Sequence, residues 1–205
     1  MGEEPVRLGR ELLGLPVRAG RSDGPTLGHV ADLWLDLSQG RLAGLLVETG
    51  DQRVTLPVDP SDRLEQAAVV LTGVDPQRGP EKPQPADTAN WLRLVGDGPD
   101  GGGPGLCGLR VADGSGRPLG RWEDVWIDTR RGTLEAVELS QGLIEDVIHG
   151  RKAVPLSGLL AVGPRRALLE PPQSGPEAQT AAPPAQPDAG PENARPGPSE
   201  APPTR

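Results

Sequence analysis

Between His29 and Leu37, apolar and polar residues alternate. Ala31, Leu33, Leu35 and Leu37 fall on one side, and Asp32, Trp34 and Asp36 on the other. This is the two-residue period of a strand with one buried face. The flanking pattern predicts a whole β unit around it. Leu15–Ala19 is a short apolar start, and the turn-forming cluster Arg21-Ser-Asp-Gly-Pro25 separates it from the alternating strand. Ser38-Gln39-Gly40 turns the chain into a mostly apolar returning strand, 41–48. Thr49-Gly50-Asp51 makes a hairpin into 53–58, and 68–72 closes the unit.

The same pattern occurs twice. Shifted by 92 residues, Leu27-Gly-His-Val-Ala-Asp-Leu-Trp-Leu-Asp36 lies over Leu119-Gly-Arg-Trp-Glu-Asp-Val-Trp-Ile-Asp128. Leu27/Leu119, Gly28/Gly120, Asp32/Asp124, Trp34/Trp126, Asp36/Asp128, Gly40/Gly132 and Leu42/Leu134 are identical, and the likeness continues to Val154-Pro155-Leu156 against Leu56-Pro57-Val58. Two copies are therefore predicted, at 8–75 and 105–171, joined by a Pro/Gly-rich linker at 76–104 and followed by a tail at 172–205. The linker has one apolar island, Asn90-Trp-Leu-Arg-Leu-Val95. The second copy replaces the tight hairpin with 140–151, where Leu143, Ile144, Val147 and Ile148 recur at helical spacing before Gly150. That insert predicts one or two helical turns over a barrel end. A unit of this size buries only about 60% of its unfolded surface, which is a physical reason to have two packed together.

Composition bounds the rest. The tail holds 10 of the chain's 25 prolines and no Ile, Leu, Val or aromatic residue, so it is expected to stay disordered. The single cysteine, Cys107, fits a reducing compartment. The charged N-terminus is not a secretory leader, and Val6 stands where a myristoylation signal needs Ser or Thr. No apolar run approaches the ~18 residues of a membrane-spanning helix. A cytoplasmic location is the expectation. The net charge of −8 is uneven: residues 1–75 carry 12 acids and 7 bases, whereas 105–170 carry 9 of each. An acidic chain without Phe or Tyr is disfavoured as a nucleic-acid binder, which needs positive charge and stacking platforms.

Candidate chemistry is sparse. His29, His149 and Cys107 share no metal-ligand spacing. Asp32/Asp36 and Asp124/Asp128 sit four apart on a strand, about 13 Å, which suits turn capping better than paired acid–base work. Gly101-Gly-Gly-Pro-Gly105 lacks the Lys-Ser/Thr ending of a phosphate loop, and no serine sits in a nucleophile elbow. The expectation is therefore no catalytic residue, no metal and no cofactor. Trp34 and Trp126 lie opposite the aliphatic face at equivalent positions. Either they pack between barrels or under the linker near Trp91, the preferred reading, or they form a partner-binding patch. Arg130-Arg131, Arg151-Lys152 and Arg165-Arg166 are basic pairs at turns of the second copy. They are solvated charges by default, and a patch for an acidic protein or RNA if they converge.

The arrangement Gly-x-x-x-Asp-(apolar)-x-(apolar)-Asp, a Gly turn and an apolar returning strand, at Gly28–Val47 and again at Gly120–Leu139, resembles the PRC-barrel superfamily. That superfamily includes the cytoplasmic domain of the photosynthetic reaction-centre H subunit and the C-terminal half of the ribosome-maturation factor RimM. The segment Ser140–Pro155 looks more like the small YlmC/YmxH proteins of spore-forming bacteria. The resemblance implies an all-β fold of two tandem small antiparallel PRC-type β-barrels, and a role in docking other proteins. It carries no active-site residue to transfer. The expected function is a non-catalytic, cytoplasmic, bacterial protein-binding adaptor, with Trp34, Trp126, Arg130, Arg131, Arg165 and Arg166 as candidate contacts. The alternative is an RNA- or ribosome-associated maturation factor using the basic turns. The sequence leaves the partner's identity and self-association open.

Overall fold

Both copies of the motif fold to one plan. The computed structural model describes residues 6–74, 88, 90–96, 105–142, 146–147 and 150–170. The first unit contains β2 (Pro16–Ala19), β3 (Thr26–Asp36), β4 (Arg41–Thr49), β5 (Gln52–Pro57), β6 (Arg63–Leu64) and β7 (Val69–Leu71). The second contains β9 (Arg110–Ala112), β10 (Pro118–Asp128), β11 (Leu134–Ser140), β12 (Lys152–Pro155), β13 (Leu159–Val162) and β14 (Arg166–Leu169). Strand order is β5-β4-β3-β2-β7-β6 in one and β12-β11-β10-β9-β14-β13 in the other, position for position the same. The pairs are antiparallel except β2–β7 and β9–β14, which are parallel. Of the predicted insert at 140–151, residues 143–145 and 148–149, with Leu143, Ile144 and Ile148, lie outside the described residues, and Asp146 and Val147 are helical. The tail and most of the linker lie outside them.

Each sheet has a seventh strand, and it comes from the chain leading into the other unit. β1 (Val6–Leu8) precedes the first unit but pairs with β10 of the second, Leu8 opposite Trp126. β8 (Trp91–Arg93) lies inside the segment read as linker, precedes the second unit and pairs with β3 of the first, Arg93 opposite Trp34. The need for such arms is visible in the strand lengths. β3 and β10 each have 11 residues, but β2 and β9 cover only their first halves. The second halves present unpaired N–H and C=O groups that the arms satisfy.

Between the units the contacts are reciprocal. The N–H of Leu42 donates to the carbonyl of Gly132 at 2.8 Å, and the N–H of Leu134 donates to the carbonyl of Gly40 at 2.8 Å. These are the same positions in the two copies, so the units meet as the halves of a two-fold dimer do. The described side chains form one continuous core running from Leu12 to Leu169.

Alternation along β3 holds at Leu33 and Leu35, both fully buried, but bulges between Val30 and Asp32 and between Trp34 and Leu35 break it. β10 has its bulges at the equivalent places. Asp32 and Asp36, expected on the outer face, are only 1% and 7% exposed because the exchanged arm lies along that half of the strand. Gly120 explains its own place in the motif. It sits at φ +143°, and a Cβ there would lie 2.5 Å from the Ser140 carbonyl oxygen.

Candidate functional site

Two of the buried aspartates, Asp32 and Asp124, show what the motif is for. Asp32 accepts hydrogen bonds from the Arg93 Nε at 2.9 Å and from the N–H groups of Val95 and Gly96 at 3.0 Å, all on the second arm. Asp124 accepts the Arg10 N–H at 3.2 Å on the first arm and the Val125 N–H at 2.8 Å. Where Asp32 has Arg93, Asp124 has only Leu8 on the pairing strand, so no cationic side chain reaches it among the hydrogen bonds described. Burial pushes the Asp124 carboxyl up to about 6. Beside it, burial pushes the Cys107 thiol up to about 11, away from the thiolate that a nucleophile needs. These aspartates fasten arms. Asp36 and Asp128, in turn, cap the turns that follow them, accepting N–H groups of Ser38 and Gln39 and of Arg130 and Arg131.

Trp34 and Trp126 are half-buried at equivalent places, each beside an arm strand. The Arg93 guanidinium carbon lies 5.9 Å from the Trp34 ring centroid, within cation–π range. Both indole N–H groups are buried without a hydrogen-bond partner among the described residues.

Of the basic pairs, Arg130 and Arg131 are exposed in the turn after β10, while Arg165 and Arg166 are exposed at the start of β14. Arg151 is drawn off to Glu138 at 3.0 Å and Glu123 at 3.5 Å. The three pairs therefore do not form one patch. Arg165 and Arg166 instead join two arginines that stand singly in the sequence. Register places Arg110 directly beside both Arg121 and Arg166, across the adjacent strands β10, β9 and β14. Their neighbours Val111, Trp122 and Ala167 are buried, so the arginines share the outer face.

A groove of about 580 Å³ runs over this row. Arg110, Arg121, Arg165 and Arg166 line it together with Ala112 and Pro118, and among the described residues no carboxylate lines it. Like charges directly opposite on a sheet cost stability. The Arg121 Nη1 donates to the Gly108 carbonyl at 3.1 Å, whereas no ion pair holds Arg110, Arg165 or Arg166 among the described residues. The first unit, on the same strands, has no such row. Register puts Glu48, His29 and Pro16 where the second has Ser140, Arg121 and Arg110, and Ala67-Ala68 where it has Arg165-Arg166. Arg110 and Arg121 escaped the sequence reading because each is isolated in the chain. The signal was available only in the cross-strand register and in the Arg121/His29 difference between the aligned copies.

Among the described residues no helix is long and apolar enough to cross a membrane. No curated protein matches the chain. The family model described as the PRC-barrel domain matches residues 4–76, which span the first arm and all six strands of the first unit, and this part of the chain is a PRC-barrel domain.

Proposed function

We propose that the chain is a non-catalytic, cytoplasmic adaptor in which two PRC-type barrels, locked together by exchanged arms, form one rigid module that binds another protein. The second unit, whose Ser140–Pro155 segment resembles the YlmC/YmxH proteins, is the half that meets the partner. The observation behind this reading is the contrast between the two units. They share strand order, buried aspartates and reciprocal contacts, yet their outer faces differ sharply in charge where the fold makes no demand. A face that departs from its structural twin without a packing reason is available for recognition. The docking role implied by the PRC-barrel family agrees with this.

The RNA- or ribosome-associated alternative relied on basic pairs converging in one patch. With Arg130-Arg131 and Arg165-Arg166 near opposite ends of β10, about 23 Å apart for seven residues of strand, that patch is absent among the described residues. The test is affinity capture with the full chain from the source cell's extract, with and without nuclease. A near-stoichiometric protein partner that survives nuclease is expected. Capture that returns no protein at such yield sinks the adaptor reading, and a partner lost on nuclease treatment favours RNA.

A further inference from the structure

We infer that the arginine groove of the second unit is a binding site for an extended acidic peptide segment, whose carboxylates pair with Arg110, Arg121, Arg165 and Arg166 while its small apolar side chains rest on Ala112 and Pro118. This inference names the contact chemistry of the adaptor proposed above and rests on it.

Three observations carry it. The first is the row itself: Arg121, Arg110 and Arg166 stand side by side on three neighbouring strands, with no acid lining the groove among the described residues. Such a row repels itself, and bound carboxylates relieve the repulsion with charge-assisted, two-pronged hydrogen bonds from guanidinium. The second is the twin. His29, Pro16, Ala67 and Ala68 occupy the equivalent places in the first unit, so the barrel closes without arginines there. The third is the groove's make-up. Among the described residues its lining holds Arg, Val, Ala, Gly, Pro, Ser and Gln and no aromatic ring, so there bases have nothing flat to stack on except guanidinium planes. The chain's net charge of −8 opposes a polyanion charged at every unit at long range, more than it opposes a short peptide charged at every second residue. Alternating acidic and apolar side chains match an extended segment lying across a charged row with an apolar floor.

The twin also supplies the test variant. R121H/R165A/R166A installs residues that the first unit already carries at these positions, so the fold has a working precedent for them. Its circular dichroism spectrum and Tm are compared with those of the native chain first. Binding is then followed by fluorescence anisotropy with the full chain and three labelled probes: a decapeptide alternating Glu and Val, the same peptide with Gln for Glu, and a uridine decamer. The Glu peptide is expected to bind, to weaken ~10-fold or more on the triple variant, and to weaken as NaCl rises from about 50 to about 200 mM. The Gln peptide is expected to bind at least ~10-fold more weakly than the Glu peptide. Equal binding by native chain and folded variant, no binding of the Glu peptide, or tighter binding of the uridine decamer overturns the inference. The capture experiment separates the two claims. If the variant still captures the partner in full, the groove assignment fails and the adaptor stands. If the peptide binds but the native chain captures no protein, the adaptor fails and an anion groove stands.

Discussion

Asp32 and Arg93, 61 positions apart in the sequence, face each other at 2.9 Å, and both are almost wholly buried, at 1% and 6% exposure. Their pairing ties the second arm to the first barrel. Removing one member of a buried pair strands the other charge away from water. Asp32→Ala is therefore expected to lower unfolding stability by about 3–5 kcal/mol, read from urea denaturation. Arg93→Leu, which copies the Leu8 of the other arm, strands Asp32 likewise. The double variant is expected to recover part of the loss. A cost below about 1 kcal/mol for Asp32→Ala contradicts the fastening role.

Asp124 gives the pH prediction. Its carboxyl, raised by burial to about 6, holds a proton in the folded chain at pH values where an unfolded Asp, near 3.9, has already lost it. Between those values the folded state binds more protons than the unfolded one, so this group's contribution to stability falls as pH rises from about 4 to about 6. Glu138 on β11 faces it with the same sign, and Arg10 faces it with the opposite sign. Tm measured at pH 4.5 and 7 is expected to fall more for the native chain than for Asp124→Asn. Identical profiles for the two proteins contradict the assignment.

Deleting residues 1–8 removes β1, and the damage is expected in the far unit. Amide exchange at 126–128 of β10 is expected to speed up at least ~10-fold as its edge opens to water. The equivalent amides of β3, paired with β8, are expected to keep their protection. Loosening confined to the first unit goes against the exchange of arms.

Gly120→Ala tests the close strand approach. The new Cβ would press on the Ser140 carbonyl, at a φ of +143° that side-chain-bearing residues avoid. A loss of at least ~1–3 kcal/mol is expected in a denaturant melt. An unchanged midpoint means that the strands have room to separate there.

Trp122 is fully buried where the first unit has Val30. Trp122→Ala is expected to cost about 3–5 kcal/mol by calorimetry or urea titration. A cost under about 1 kcal/mol means that the second core collapses around the gap.

The repeat and the aliphatic core were legible because seven positions coincide at a constant shift and Leu33, Leu35, Val125 and Ile127 keep their inward side. The bulges were not, since an extra residue in a strand leaves no mark on apolar count. Asp32 and Asp124 consequently read as outward charges, when each is buried to grip an arm. The arms themselves, Val6–Leu8 and Trp91–Arg93, are three residues long, too short to show a period, and the loop-like composition around the second concealed a strand. Of the groove, Arg165 and Arg166 were visible as a pair. Arg110 and Arg121 depend on register, which hydrophobic pattern fixes only once both faces are known.

The exchanged arms also govern the order in which the protein is made. As the chain leaves the ribosome, β1 appears first and has nothing to join until β10 emerges more than a hundred residues later. β3 meanwhile waits, one edge bare, for Trp91–Arg93. Contacts so distant in sequence are slow to form. Until Trp91–Arg93 has been made, the nascent first half carries an open strand edge that chaperones, or a second nascent copy, are able to reach.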